Sequence, residues 1–137
     1  RLGDLYLRCG ALRGNASELF LLLAKPRGRA LPAGITTVTL RDVLGAIDGI
    51  ERGLPAERTS VVGREVRHVI RLLRAACHRG IALLDGTIDT PATQASLAAE
   101  QEALMTAHAA VWRLRNREGG LSDSLARMGT IRREYTA

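Results

Sequence analysis

Aromatic side chains are scarce. Tyr6, Phe20, Trp112 and Tyr135 are the only four in 137 residues. Valine and isoleucine together fill 14 positions, whereas leucine and alanine fill 41. The first group favours pleated sheet and the second favours helix, so the composition argues against a sandwich, a barrel or a parallel α/β domain. Cysteine occurs only at Cys9 and Cys77, with no CxxC pair, which excludes a zinc ribbon or a dithiol redox motif. Two buried reduced thiols are the simple reading, and a bond between them stays open. The longest apolar run, Leu19 to Ala24, is six residues. A spanning helix needs about 20, so a membrane segment is excluded. No secretory signal is visible, which leaves the cytoplasm as the expected compartment. Lysine is nearly absent: Lys25 stands against 19 arginines, within a net charge of +6. The first residue is Arg1, not methionine, and the expectation is a single helical domain, 1–137, cut from a larger protein.

What is present reads as helix. Leu2, Leu5, Cys9 and Leu12 recur at helical spacing, and Ser17 can cap a short helix through Ala24. These first 24 residues read as linker helices, followed by a loop with two prolines and two glycines over 25–34. The main bundle is expected over 39–135. Thr39 is the expected N-cap of a helix running to Leu54, with Leu40, Val43, Leu44, Ile47, Ile50 and Leu54 as its apolar stripe. Thr59 or Ser60 opens the next helix, to Leu84, with Val62, Val66, Val69, Leu73, Ala76, Cys77 and Leu84 facing inward. Thr90-Pro91 is a strong helix start, and that helix is expected to reach Asn116. Asp85-Gly86 and Gly119-Gly120 read as turns. A last helix follows to Tyr135, capped by Ser122, with Leu125, Met128 and Ile131 as contacts. The predicted fold is an all-α, antiparallel (up-and-down) bundle of about three long helices with shorter terminal ones.

A search for chemistry finds no catalytic constellation. His68, His78 and His108 lack metal-ligand spacing, and no carboxylate cluster stands beside them in sequence. There is no GxSxG elbow, no Walker A and no dinucleotide fingerprint, so neither a metal nor a cofactor is expected. Three surfaces stand out instead. Arg64, Arg67, Arg71 and Arg74 form one basic stripe: a solvated face, a docking face, or the wall of an anion pocket. Gly45, Gly49 and Gly53 lie at i, i+4, i+8, suggesting either a close neighbour or glycine tolerated on a wet face. The stretch HAAVWRLRNREGGLSDS, His108 to Ser124, is the richest. His108 and Trp112 share a helix face, while Arg113, Arg115 and Arg117 suit the negative end of a helix.

This last stretch resembles the end of certain bacterial family 20 glycoside hydrolases, the β-N-acetylhexosaminidases, in which an all-helical domain follows the catalytic barrel. Their pattern is H-x-x-x-W-x-x-R-N-R-P-G-G-L-x-D-S. The matching positions are His108, Trp112, Arg115, Asn116, Arg117, Gly119, Gly120, Leu121, Asp123 and Ser124, with Glu118 in place of the proline. The opening, LGDLYLRCGALRGNASELF, also looks like the passage from barrel to helical domain. The family's catalytic centre is an adjacent Asp-Glu pair in the barrel, and this chain contains no such pair. The resemblance therefore implies a non-catalytic appendage that braces the barrel of the same parent chain, forms a homodimer contact, or does both. His108, Trp112, Arg115, Asn116 and Arg117 are its preferred interface residues. The alternative is a free-standing basic module that binds nucleic acid or an anionic small molecule.

Overall fold

The structure is a computed structural model that describes residues 2–8, 12–13, 16–24, 27–28, 30–32, 34–55 and 60–136. Arg1, Cys9, Lys25 and Thr59, named above, lie outside the described residues. A 3-10 turn, Leu2–Asp4, leads into α1, Leu5–Arg8. Two-residue strands β1, Leu12–Arg13, and β2, Ala16–Ser17, pair antiparallel, with Leu12 opposite Ser17. Then come α2 (Glu18–Ala24), α3 (Thr37–Arg52), α4 (Val61–Leu84), α5 (Pro91–Trp112) and α6 (Leu121–Arg133). The helical bundle is as the composition predicts, apart from that short hairpin, which places Leu12 in a strand rather than a helix.

Helix starts are set by short polar side chains. Ser60 Oγ accepts from Gly63 N at 3.0 Å, Thr90 Oγ1 from Thr93 N at 3.3 Å, and Ser17 Oγ from Phe20 N at 3.1 Å. Each satisfies a first-turn donor that has no partner within its helix. The start of α3 differs from expectation. Thr36, not Thr39, is the N-cap: its hydroxyl accepts from Thr39 N, and Thr39 Oγ1 accepts from Thr36 N, closing a reciprocal capping box. Thr39 is therefore inside the helix. At α6 the cap is Gly120 at φ +86°, with no side-chain bond, so Ser122 already lies in the first turn.

Helix α4 is the axis of the molecule, packed by α2, α3 and α5, while α6 packs on α5 and touches α2. Leu5, Leu19, Leu22, Ile35, Leu40, Val43, Ile47, Ile70, Ala76 and Cys77 form the main core, and Ala82, Ile88, Leu97, Ile131 and Tyr135 form a second cluster, with Leu83 packed against both. Burial of each large aliphatic side chain contributes about 1.5–3 kcal/mol. With neighbours on several sides, α4 buries a wider arc than one stripe. Its buried set is His68, Ile70, Ala75, Ala76, Cys77, Arg79, Gly80 and Ala82. Val62, Val69 and Leu84, expected inside, are instead 57%, 42% and 39% exposed. Among the described residues, no helix is long and apolar enough to cross a membrane.

Candidate functional site

The His108–Ser124 motif folds into one closed corner. α5 ends at Trp112, not Asn116, because the chain tightens there: Leu114 N bonds Val111 O and Arg115 N bonds Trp112 O, at 3.1 and 3.3 Å, each three residues back rather than four. The chain then wraps the indole, and Trp112 Nε1 donates to Arg117 O at 2.8 Å. Gly120 turns with positive φ directly beneath the ring. A Cβ at that position would lie 3.5 Å from Trp112 Cζ2. Leu121 is buried, and one turn later Ser124 Oγ meets His108 Nε2 at 2.9 Å. Arg115 reaches across to α4, pairing with Glu65 at 2.7 Å, and Arg113 pairs with Glu118 at 2.7 Å. Asn116 and Arg117 have exposed side chains; Arg117 contributes its carbonyl. The glutamate at 118, where the resembled pattern has proline, thus gains an ionic contact with the preceding helix.

His108 also joins α4. Its Nδ1 lies 3.1 Å from His68 Nε2, so Ser124, His108 and His68 form a hydrogen-bonded chain across α6, α5 and α4. The spacing along the sequence, 40 residues from His68 to His108, gives no hint of this. Burial pushes His68 down to about 4, helped by the nearby charges of His108 and Arg71. Burial also lowers His108. Both rings are therefore neutral near pH 7. A serine–histidine pair needs a group that steadies the imidazolium formed when the base takes the hydroxyl proton. Here the third member is a neutral ring beside an arginine, which opposes that charge. The chain of bonds links three helices; it is not equipped as a nucleophile and base.

The arginine stripe divides. Arg74 is taken up by α3, with Asp48 at 2.7 Å and Glu51 at 2.8 Å. His78, further along, bonds Glu100 of α5 at 3.0 Å, which raises its pKa. Arg64, Arg67 and Arg71 line a groove of about 380 Å³ with His68, Glu51, Ala107, Ala110 and Val111. Four other arginines face carboxylates: Arg8–Asp42, Arg27–Asp89, Arg41–Asp85 and Arg132–Glu102. Outside the groove of Arg64, Arg67 and Arg71, much of the positive charge is thus paired, which does not make the continuous phosphate track of a nucleic-acid groove.

The glycine face is open. Among the described residues, nothing lies within 4 Å of a Cβ built on Gly45, and only the Arg52 guanidinium approaches one on Gly49. Gly53 is the C-cap of α3. Within this chain, close packing occurs at Gly80 instead, where a Cβ would meet Leu40 Cδ1 at 2.6 Å and Leu22 Cδ1 at 2.9 Å.

A second groove, about 440 Å³, runs between α2, α4 and α6 and is lined by Phe20, Leu23, Val69, Leu72 and Met128, with His108 and Ser124 at its edge. Phe20 is 59% exposed. The sequence reading missed this groove, because it assigned Val69 to the core. Among the described residues, no group of three metal-ligating side chains comes together. Comparison with protein-family models, curated proteins and solved structures gives no match.

Proposed function

We propose that this chain is the non-catalytic helical C-terminal domain of a bacterial, cytoplasmic, family 20-like glycoside hydrolase, a β-N-acetylhexosaminidase, in which it braces the catalytic barrel and contributes a homodimer contact. The observation that carries the reading is the closed corner. The residues of the resembled motif serve one another: Trp112 is wrapped by Arg117 and Gly120, and His108 is held by Ser124. A motif whose members brace a helix junction suits an appendage whose role is mechanical. The apolar groove beside it supports the same reading. Phe20 and Val69 leave apolar surface in water, and such patches are commonly covered by a partner. The barrel of the parent chain is the partner proposed here.

Two measurements test this. The coding sequence upstream of Arg1 is expected to encode a barrel with an adjacent Asp-Glu pair, and the parent protein is expected to cleave an aryl N-acetylglucosaminide while this chain alone does not. An upstream sequence with no such barrel, or turnover by the highly purified chain, would overturn the proposal.

A further inference from the structure

The groove between α4 and α5 has the character of an anion site. Arg64, Arg67 and Arg71 sit at i, i+3 and i+7, so about 100° per residue keeps them within a 60° arc of α4. The opposing wall on α5 is Ala107, Ala110 and Val111, short side chains that leave the space open. At about 380 Å³ the groove lies at the small end of the roughly 300–1,000 Å³ typical of ligand pockets. Arg67 is held in place from two sides, donating to Gly63 O and to Pro55 O. Arg71 makes no ion pair among the described residues. Its charge is nonetheless felt inside, since it helps to keep His68 deprotonated. Arg74, unlike Arg71, is already neutralised by two carboxylates. Glu51 stands at the rim with one oxygen on Arg74, which leaves the other to accept from a hydroxyl.

We infer that this groove binds a small phosphomonoester that carries hydroxyl groups, with the phosphate held by Arg64, Arg67 and Arg71 and a hydroxyl donating to Glu51. Guanidinium groups match phosphate oxygens in geometry as well as charge. The single carboxylate at the rim selects against a ligand that is anionic throughout. This inference does not depend on the bracing role, because the groove lies on the α4–α5 seam, apart from the Phe20–Val69 groove.

The test is calorimetric titration of the 137-residue chain with glucose 6-phosphate, inorganic phosphate and glucose at about 50 mM salt. Glucose 6-phosphate is expected to bind one per chain with a Kd of about 1 mM or tighter. Inorganic phosphate should bind more weakly, and glucose not at all. The double variant Arg64→Ala/Arg71→Ala alters two exposed side chains and should fold normally by circular dichroism. It should lose at least about tenfold in affinity. Arg127→Ala, in the other groove, should bind as the parent does. Absence of binding at 10-fold higher ligand than that Kd, unchanged affinity in the double variant, or equal loss in Arg127→Ala would overturn the site. Inorganic phosphate binding as tightly as glucose 6-phosphate would overturn the contact to Glu51.

Discussion

Arg79 Nη2 donates to Glu134 Oε2 at 2.6 Å, and the arginine is only 2% exposed. The same guanidinium donates from Nη1 to Leu22 O at 2.7 Å, in the last turn of α2, where carbonyls lack helical partners. It also lies over the Tyr135 ring, 5.9 Å from its centroid. Glu134 in turn accepts from Arg27 N at 3.2 Å through Oε1, and its backbone carbonyl accepts from Arg27 Nη2 at 2.8 Å. One buried cation on α4 thus ties down the end of α2, the loop after it and the segment after α6.

Removing one member of such a pair leaves the other desolvated and unmatched. Arg79→Ala should therefore destabilise the chain by about 3–5 kcal/mol, the usual range for breaking a buried pair. Replacing both charges, Arg79→Met with Glu134→Gln, should cost clearly less than Arg79→Ala alone. Urea unfolding of the variants decides this. Equal losses in both would mean that the lost guanidinium hydrogen bonds, such as that to Leu22 O, and not the unmatched Glu134 carboxylate, carry the effect.

The glycines of α3 and α4 should respond to alanine with opposite signs. Gly45 is exposed in mid-helix with open space around it, so Gly45→Ala should stabilise by about 0.5–1 kcal/mol. Gly80→Ala gains the same helix preference but drives a methyl into Leu40 and Leu22, both buried. Overpacking of this kind costs about 1–3 kcal/mol, so the net change should be a loss of about 1 kcal/mol. Melting temperatures that move in the same direction would contradict this assignment of the packed face.

The corner gives a third prediction. Gly120 combines φ +86° with a Cβ position 3.5 Å from the Trp112 ring. Left-handed backbone costs an L-residue about 1–2 kcal/mol, so Gly120→Ala should destabilise by that amount. Gly119→Ala, with open space and no positive φ, should change stability little. Tryptophan fluorescence during unfolding reports the corner directly.

How much of this was legible depended on whether the signal was local. Ser60 and Thr90-Pro91 mark helix starts through groups only three residues apart, and both act as expected. The sequence points to Thr39 where Thr36 is the cap, because both hydroxyls belong to one capping box and either threonine alone looks like a cap. Three helices press on α4, and a single periodic stripe cannot represent its inward face. Arg79 did leave a trace: it shares a helix face with Ala76 and Leu83, a charge set among apolar positions. Its partner, 55 residues away after α6, could not be read from the sequence. The meeting of His68 with His108 was equally hidden. Both sit on long helices whose relative rotation is set by packing.

That meeting yields the pH prediction. His68 titrates at about 4 in the fold, against 6.5 in an unfolded chain, because burial and then His108 and Arg71 oppose its charge. The unfolded state therefore binds more protons between these values, and stability falls as pH drops through that window. By pH 4 the loss from His68 should be on the order of 3 kcal/mol. His108, also lowered by burial, acts in the same direction. His78 acts oppositely: its bond to Glu100 raises its pKa, so its contribution is complete below 6.5 and fades as pH rises through the folded value. Carboxylates titrate in the same acid range, so the parent curve alone is not diagnostic. The comparison is with His68→Gln, which cannot take up the proton. Urea midpoints at pH 7 and pH 4 should differ far less in this variant than in the parent, and identical pH dependence in the two would show that His68 does not govern the acid loss.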